Sequence, residues 1–240
     1  RGITPMVTLH HFTHPLWVEE LAAWETETIV PLFERFVRKT VDALKEYCTM
    51  WCTLNEATGY ALNGYVGGGL SGNFPPGKNN LKLVLRVQAN MLRAHAAAYH
   101  AIHEIQPEAK VGLALHHRSL NPYHRWSPID RFLARNASVM LNEIFPMVLL
   151  RGWVRTTLGT LRIPEAKGTQ DYFGFNYYTS NLVTFDLSKP ESMFSNAFYA
   201  KDADLSDLGF FANEPYEMFE NLKWIVRTFP GMPIYITENG

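Results

Sequence analysis

Short runs of apolar and β-branched residues recur along the chain and predict β-strands. Runs of this length, bounded by polar residues, are typical of strands buried within a sheet. They cover residues 6–9, 50–54, 110–115, 172–178 and 234–237. Successive runs begin roughly 40 to 60 residues apart, which leaves room for a helix and a sizeable loop between neighbouring strands.

Three longer segments between these runs carry apolar residues at helical spacing. The pattern predicts helices over residues 29–44, 81–105 and 218–229. Pro107 follows the second segment and Pro230 the third, and proline cannot continue a helix. Strands that alternate with helices indicate βαβ units and a parallel sheet, so the predicted fold class is α/β. No repeat of fixed period and no linker divides the chain.

Each predicted strand ends in polar residues. In α/β folds the carboxyl ends of parallel strands meet at one edge of the sheet, and ligands bind there. The residues at these ends are His10 and His11, Asn55 and Glu56, His116 and His117, Asn176 to Tyr178, and Glu238 to Gly240. The set holds two carboxyl groups and neither Lys nor Arg. It therefore predicts a site for a polar substrate.

Composition and charge exclude several classes of protein. Lys and Arg number 22 and Asp and Glu 23, so the formal net charge of −1 shows no electrostatic footprint for nucleic acid or an anionic membrane. No stretch approaches the ~18 consecutive apolar residues of a membrane-spanning helix. Two cysteines, Cys48 and Cys52, do not make a disulfide scaffold, and they favour a reducing, cytoplasmic compartment.

The two carboxyl groups at strand ends are Glu56 and Glu238, and each has an Asn beside it. A single Glu at a strand end is as readily a helix cap or a surface charge as it is a catalytic residue. Two that face each other across one cleft suit glycosidic cleavage, in which one donates a proton to the leaving oxygen and the other attacks the anomeric carbon. Asn55 and Glu56 are adjacent, and side chains alternate along a strand, so a bend must begin there for both to face the cleft.

The motifs around these residues resemble glycoside hydrolase family 1, the retaining β-glucosidases, β-galactosidases and 6-phospho-β-glycosidases. The resemblance runs through residues 8–12, 53–56, 64–65, 74–77, 94–96, 173–178 and 236–240, in family order. It implies a (β/α)₈ TIM barrel, of which this chain would supply about strands three to seven. Because the chain begins and ends directly on predicted strands, we expect residues 1–240 to be one catalytic domain that is incomplete at both ends.

The resemblance also implies roles for individual residues. Glu56 matches the general acid/base and Glu238 the nucleophile of a retaining enzyme. The residues that match substrate-binding and supporting positions are His11, Asn55, Asn176 and Tyr178; Tyr178 matches the tyrosine that hydrogen-bonds the nucleophile. No metal and no other cofactor is expected. The implied substrate is a small β-glycoside or oligosaccharide with a terminal glucosyl, galactosyl or fucosyl residue.

Some positions depart from the family pattern. Ala57 stands where the family usually has proline, Phe12 replaces the usual tryptophan, and Thr13 replaces the usual aspartate. None of these changes removes a catalytic group. A catalytically inactive binding or interaction protein with the same barrel stays open as an alternative, as do a 6-phospho-β-glycosidase and, less favoured, a metallohydrolase.

Three further features have more ordinary interpretations. His10 and His11 are adjacent on a strand and point to opposite faces, which disfavours a shared metal ion. The glycine-rich stretch 67–72 lacks the Gly-Lys-Ser/Thr of a phosphate loop and is predicted to be a flexible loop over the site. Residues 186–214 have no clear periodicity, and we expect them to form part of the entrance for the leaving group.

Overall fold

The computed structural model describes residues 2–66, 74–78 and 80–240. The strands are β1 (Met6–His10), β2 (Met50–Asn55), β3 (Lys110–Pro122), β4 (Trp153–Thr156), β5 (Gly159–Arg162), β6 (Tyr172–Phe185), β7 (Ser195–Phe198) and β8 (Ile234–Asn239). The α-helices are α1 (Leu16–Glu20), α2 (Ile29–Leu44), α3 (Ala57–Tyr65), α4 (Leu81–Ile105), α5 (Pro128–Ser138), α6 (Ile144–Arg151) and α7 (Pro215–Thr228). The glycine-rich stretch 67–72 lies outside the described residues.

The main sheet contains the five predicted strands, and all of them run parallel. β1 pairs with β2, β2 with β3, β3 with β6, and β6 with β8. Helices connect these strands, as the alternating pattern predicts. This arrangement is part of a (β/α)₈ barrel, and it gathers the carboxyl ends of the strands at one mouth.

Helices α2 and α4 cover the outer face of the sheet. Both have the bounds that the apolar spacing predicts. The apolar stripe of α2 is buried at Ile29, Phe33, Val37 and Val41, and α4 is buried along most of its length. Each such side chain contributes about 1.5–3 kcal/mol when it is fully removed from water.

His95 fixes α4 to the sheet. Its Nε2 lies 2.6 Å from the carbonyl oxygen of Thr169, which can only accept, so Nε2 carries the proton. The other nitrogen, Nδ1, then accepts from the Thr53 hydroxyl at 2.6 Å. Burial lowers the pKa of His95 to about 4, so the ring is neutral and structural.

Several elements differ from the predicted ones. Strands β3 and β6 continue well past the predicted ends at residues 115 and 178, and they stay paired as far as Pro122 and Val183. Helix α7 begins at Pro215, because proline suits a first helical turn. Helices α3, α5 and α6 and the hairpin of β4 and β5 were not predicted. Within 186–214, β7 adds an antiparallel strand to the far end of β6.

Gly174 lies where β6 approaches β3 too closely for a side chain. A Cβ at this position would stand 2.4 Å from the carbonyl oxygen of Leu113, which is backbone and cannot rotate away. We expect Gly174→Ala to lower the free energy of unfolding by about 1–3 kcal/mol, the usual scale of overpacking. Chemical denaturation followed by circular dichroism measures this loss.

Gly59 provides the matched control for that substitution. A Cβ there would meet its nearest atom at 3.6 Å, an ordinary contact, and the residue lies inside helix α3. Alanine stabilises a helix interior by about 0.5–1 kcal/mol relative to glycine. Equal stability of Gly174→Ala and Gly59→Ala would contradict the close approach of the two strands.

Candidate active site

Glu56 leaves the sheet through a sharp backbone turn. The pairing of β2 with β3 shifts register between Cys52 and Asn55, and Glu56 then adopts a left-handed backbone with φ of 44°. Its N–H still donates to the Ala114 carbonyl oxygen at 2.8 Å, so the turn is held against β3. This is the bend that the adjacent Asn55 and Glu56 require, and helix α3 starts directly after it.

A chain of hydrogen bonds joins three strand ends to Glu56. Asn55 Nδ2 lies 3.1 Å from His11 Nε2, and Asn176 Nδ2 donates to Asn55 Oδ1 at 3.1 Å. The same Nδ2 donates to Glu56 Oε1 at 2.9 Å. Asn176 is completely buried, and its Oδ1 accepts from the Thr237 hydroxyl at 2.5 Å. The amide is therefore fixed with its donor toward Glu56.

Glu238 lies at the end of β8, beside Asn176 in the register of β6 and β8. The hydroxyl of Tyr178 donates to Glu238 Oε2. Burial, together with this bond to the carboxylate, raises the pKa of Tyr178, so the phenol keeps its proton and remains a donor. The structure thus brings together all six residues that the sequence predicts for the site: His11, Asn55, Glu56, Asn176, Tyr178 and Glu238.

Two histidines set the charge around Glu56. Burial raises the pKa of Glu56, but the hydrogen bonds from His116 and Asn176 and the nearby charges of His116 and His11 outweigh it. The net pKa is lowered. This direction favours the ionised carboxylate, whereas the first step of a retaining mechanism needs the acid form. A negative charge on Glu238 across the cleft would raise the pKa of Glu56, but it is not among the main causes of the shift.

His116, Thr237 and Phe211 belong to the site but were not predicted as site residues. His116 Nδ1 lies 3.3 Å from Glu56 Oε1. The ring of Phe211 stacks on Tyr178 with centroids 5.0 Å apart and planes 18° apart. His116 stands at a strand end in the sequence, which is a usable signal. Phe211 comes from the long connection 186–214, where nothing in the local pattern marks it.

The connection 186–214 reaches the site because it is fastened to β6. The backbone N–H of Ala212 donates to the Thr179 hydroxyl at 2.9 Å, and Tyr177 donates to the Glu214 carbonyl oxygen at 2.8 Å. A bridge between Leu205 and Ala212 folds the segment back on itself. These bonds hold Phe211 beside Tyr178; a role of the segment in the entrance for the leaving group stays a prediction.

The adjacent histidines lie on opposite faces, as strand alternation predicts. His10 is buried behind the sheet against Trp24 and Tyr60, and burial lowers its pKa to about 3. His11 is exposed at the mouth. Across the described ranges, no cluster of three or more His, Cys, Asp or Glu is arranged to hold a metal ion. None of the described helices has both the length and the apolar character that crossing a membrane requires.

The family profile and the sequence relatives point to the same family over the whole chain. The sequence profile of glycosyl hydrolase family 1 matches residues 1–240. The cytosolic beta-glucosidase of Homo sapiens is 25% identical over 269 residues, which cover all of this chain and 56% of the human protein. Beta-glucosidase A of Thermotoga maritima is 27% identical over 252 residues, covering all of this chain and 54% of that protein.

Solved structures agree with these relatives. The beta-glycosidase from Pyrococcus horikoshii superposes with a TM-score of 0.86 at 32% identity, over all of this chain and 53% of its own. The Thermotoga maritima beta-glucosidase in complex with glucoimidazole superposes with a TM-score of 0.85 at 25% identity, over all of this chain and 54% of its own. The chain spans about half the length of the relatives that it matches. On this evidence, the chain belongs to glycosyl hydrolase family 1.

Proposed function

We propose that the protein is a retaining exo-β-glycosidase that removes terminal β-D-glucosyl residues, or β-D-galactosyl or β-D-fucosyl residues, from small glycosides and oligosaccharides. One observation carries the proposal: the two carboxyl groups at strand ends are each held by a buried or half-buried donor, Asn176 for Glu56 and Tyr178 for Glu238. The substrate class also agrees with the relatives, which are named as β-glucosidases.

In the first step, Glu238 attacks the anomeric carbon and the bond from that carbon to the glycosidic oxygen breaks. Glu56 gives its proton to the departing oxygen, which leaves as an alcohol. The electron pair of the broken bond stays on that oxygen, and the sugar becomes an ester of Glu238. Tyr178 donates to the carboxylate before the attack and orients it.

In the second step, water hydrolyses the glycosyl-enzyme. Glu56 is now a carboxylate and takes a proton from the attacking water, whose oxygen bonds to the anomeric carbon while the bond to Glu238 breaks. The donors on Glu56 favour this ionised form. Two inversions at one carbon return the original configuration, and no metal or other cofactor enters either step.

The glycone pocket is proposed to begin at the hydrogen-bonded pair of Asn55 and His11. Asn55 is 3% exposed, and the exposed His11 lies beside it. Both side chains offer hydrogen-bonding atoms for sugar hydroxyls. A cytoplasmic location is also proposed, since the human relative is named as cytosolic and both cysteines are free.

The test of the function is product stereochemistry. We expect the purified full-length protein to hydrolyse an aryl β-glucoside but not the matched α-glucoside. Proton NMR during the first minutes should show the β-anomer of glucose before mutarotation produces the α-anomer. The matched α-glucoside is the control for contaminating glycosidases.

Other outcomes of the same assay identify the alternatives. If the α-anomer forms first, the mechanism is inverting and the paired roles of Glu56 and Glu238 are wrong. If only 6-phosphoglucosides are hydrolysed, the substrate class is wrong and the chemistry stands. If the protein binds the glycosides without any turnover, it is a catalytically inactive member of the family.

A further inference from the structure

Among the described residues, the hydrogen bonds to the carboxyl group of Glu56 all reach the same oxygen, Oε1. Asn176 Nδ2 lies 2.9 Å from Oε1, and His116 Nδ1 lies 3.3 Å from the same atom. The side chains of His116 and Glu56 are 12% and 13% exposed, so water screens this pair little. Within residues 2–66, 74–78 and 80–240, no hydrogen bond to Oε2 is present.

The position of His116 is fixed from two sides. The next residue on β3, His117, is buried on the outer face against Phe173, so His116 faces the inside of the barrel. Its ring lies against Tyr178, with centroids 5.7 Å apart and planes tilted by 34°. Since Tyr178 donates to Glu238, the imidazole stands between Glu56 and the residue that holds Glu238.

The chemistry of the two contacts to Oε1 is determined by their partners. Asn176 Oδ1 already accepts from Thr237, so the amide presents its donor to Glu56. An imidazole with its proton on Nδ1 also donates to Oε1. Two donors on one oxygen orient the carboxyl group and leave Oε2 available for the proton that the reaction moves.

We propose that His116 is a positioning residue for Glu56, which donates from Nδ1 to Oε1 and reserves Oε2 for proton transfer to and from the substrate. The inference rests on the proposed glycosidase function. In the first step the proton leaves Oε2 for the glycosidic oxygen as the glycosidic bond breaks. In the second step Oε2 takes a proton from the attacking water. His116 and Asn176 stay bonded to Oε1 throughout, and His116 neither gains nor loses a proton.

The role has a measurable electrostatic consequence. A donor that favours the carboxylate lowers the pKa of Glu56, so its loss raises that pKa. The other titratable groups that face or lie near this pair from the packed elements are His11 directly after β1, His117 and Arg118 on β3, Tyr178 on β6 and Glu238 on β8. The His116 variants share all of these neighbours, so a difference in the pKa of Glu56 between His116→Asn and His116→Phe reports the donor at position 116.

Three substitutions separate the donor from the bulk of the ring. His116→Asn places an amide nitrogen the same number of bonds from the backbone as Nδ1, and it keeps a donor. His116→Phe keeps the ring and removes the donor. His116→Ala removes both and serves in place of His116→Phe if the latter folds poorly.

Two readouts are compared across these variants of the full-length protein. The first is the pKa of Glu56 itself, from carbon NMR titration of the labelled carboxyl group, which needs no turnover. The second is the basic limb of the pH profile of kcat/KM, where Glu56 must be protonated. We expect His116→Phe to raise both by about one pH unit, the scale of one charge-assisted hydrogen bond, and His116→Asn to restore both.

The outcomes distinguish this inference from the function on which it rests. If the pKa of Glu56 is equal in the wild type and His116→Phe, or if His116→Asn shifts it as much as His116→Phe does, His116 is not a positioning donor. If the wild type hydrolyses no glycoside, the proposed function fails. The titration of Glu56 still decides the role of His116 in that case.

Discussion

Glu238→Ala is expected to reduce turnover of an aryl β-glucoside by a factor on the order of 10⁶, the scale on which hydrolases lose rate without their nucleophile. The substitution leaves a space beside the anomeric carbon. A small anion such as azide or formate occupies that space and attacks the sugar once. A single displacement inverts the configuration, so the rescued product should be the α-glycosyl azide, identified by NMR.

A matched control separates loss of the nucleophile from general damage. Glu220 lies on helix α7, where it forms a half-exposed ion pair with Lys223 outside the site. Ion pairs at the protein surface contribute about 0–1 kcal/mol to stability. Glu220→Ala should therefore keep wild-type turnover and show no response to azide. Wild-type turnover in Glu238→Ala would show that another group is the nucleophile.

Periodicity predicts the elements that bury one face along their whole length. Helix α2 repeats apolar residues at helical spacing from Ile29 to Leu44, and the structure has those bounds. Helix α4 likewise starts at Leu81, where Asn80 caps it, and ends before Pro107. In both helices the burial that stabilises the element is the same burial that produces the pattern, so sequence and structure agree to the residue.

Periodicity fails where an element is buried on several sides or is held by its neighbours. Helix α3 is buried at Ala57, Thr58, Tyr60, Ala61 and Tyr65, which leaves no polar face for a pattern to mark. Beyond Leu115 in β3 and Tyr178 in β6 the apolar runs end, yet both strands continue because they pair with each other and β6 also pairs with β7. Such pairing depends on residues far apart in the chain.

The site likewise has features that the sequence predicts and features that depend on contacts between distant residues. The strand ends and the family motifs point to Glu56, Glu238 and their partners Asn176 and Tyr178 from the sequence alone. The pKa of Glu56 could not be predicted in the same way, because its direction depends on the distance to His116 across two strands. The hydrogen bonds from His116 and Asn176 and the charges of His116 and His11, and not the charge of Glu238, lower the pKa of Glu56.

Glu56→Ala is expected to affect substrates according to their leaving groups. An alkyl glycoside needs a proton on its departing oxygen, so its turnover should fall by about 10²–10⁴, the usual contribution of general acid catalysis. A dinitrophenyl glycoside leaves without that proton, so formation of its glycosyl-enzyme should be nearly unchanged. Hydrolysis of that intermediate still lacks a base, so a burst of dinitrophenol followed by slow turnover should be visible in stopped-flow absorbance.

Azide then distinguishes the two glutamates by stereochemistry. In Glu56→Ala the sugar is already bonded to Glu238, and azide attacks from the face that the missing carboxyl leaves open. Two displacements give the β-glycosyl azide, the opposite anomer to that expected from Glu238→Ala. Each variant is thus the control for the other. If Glu56→Ala gave the α-azide and Glu238→Ala the β-azide, the acid/base and the nucleophile would be interchanged, and the donors around Glu56 would be orienting a nucleophile.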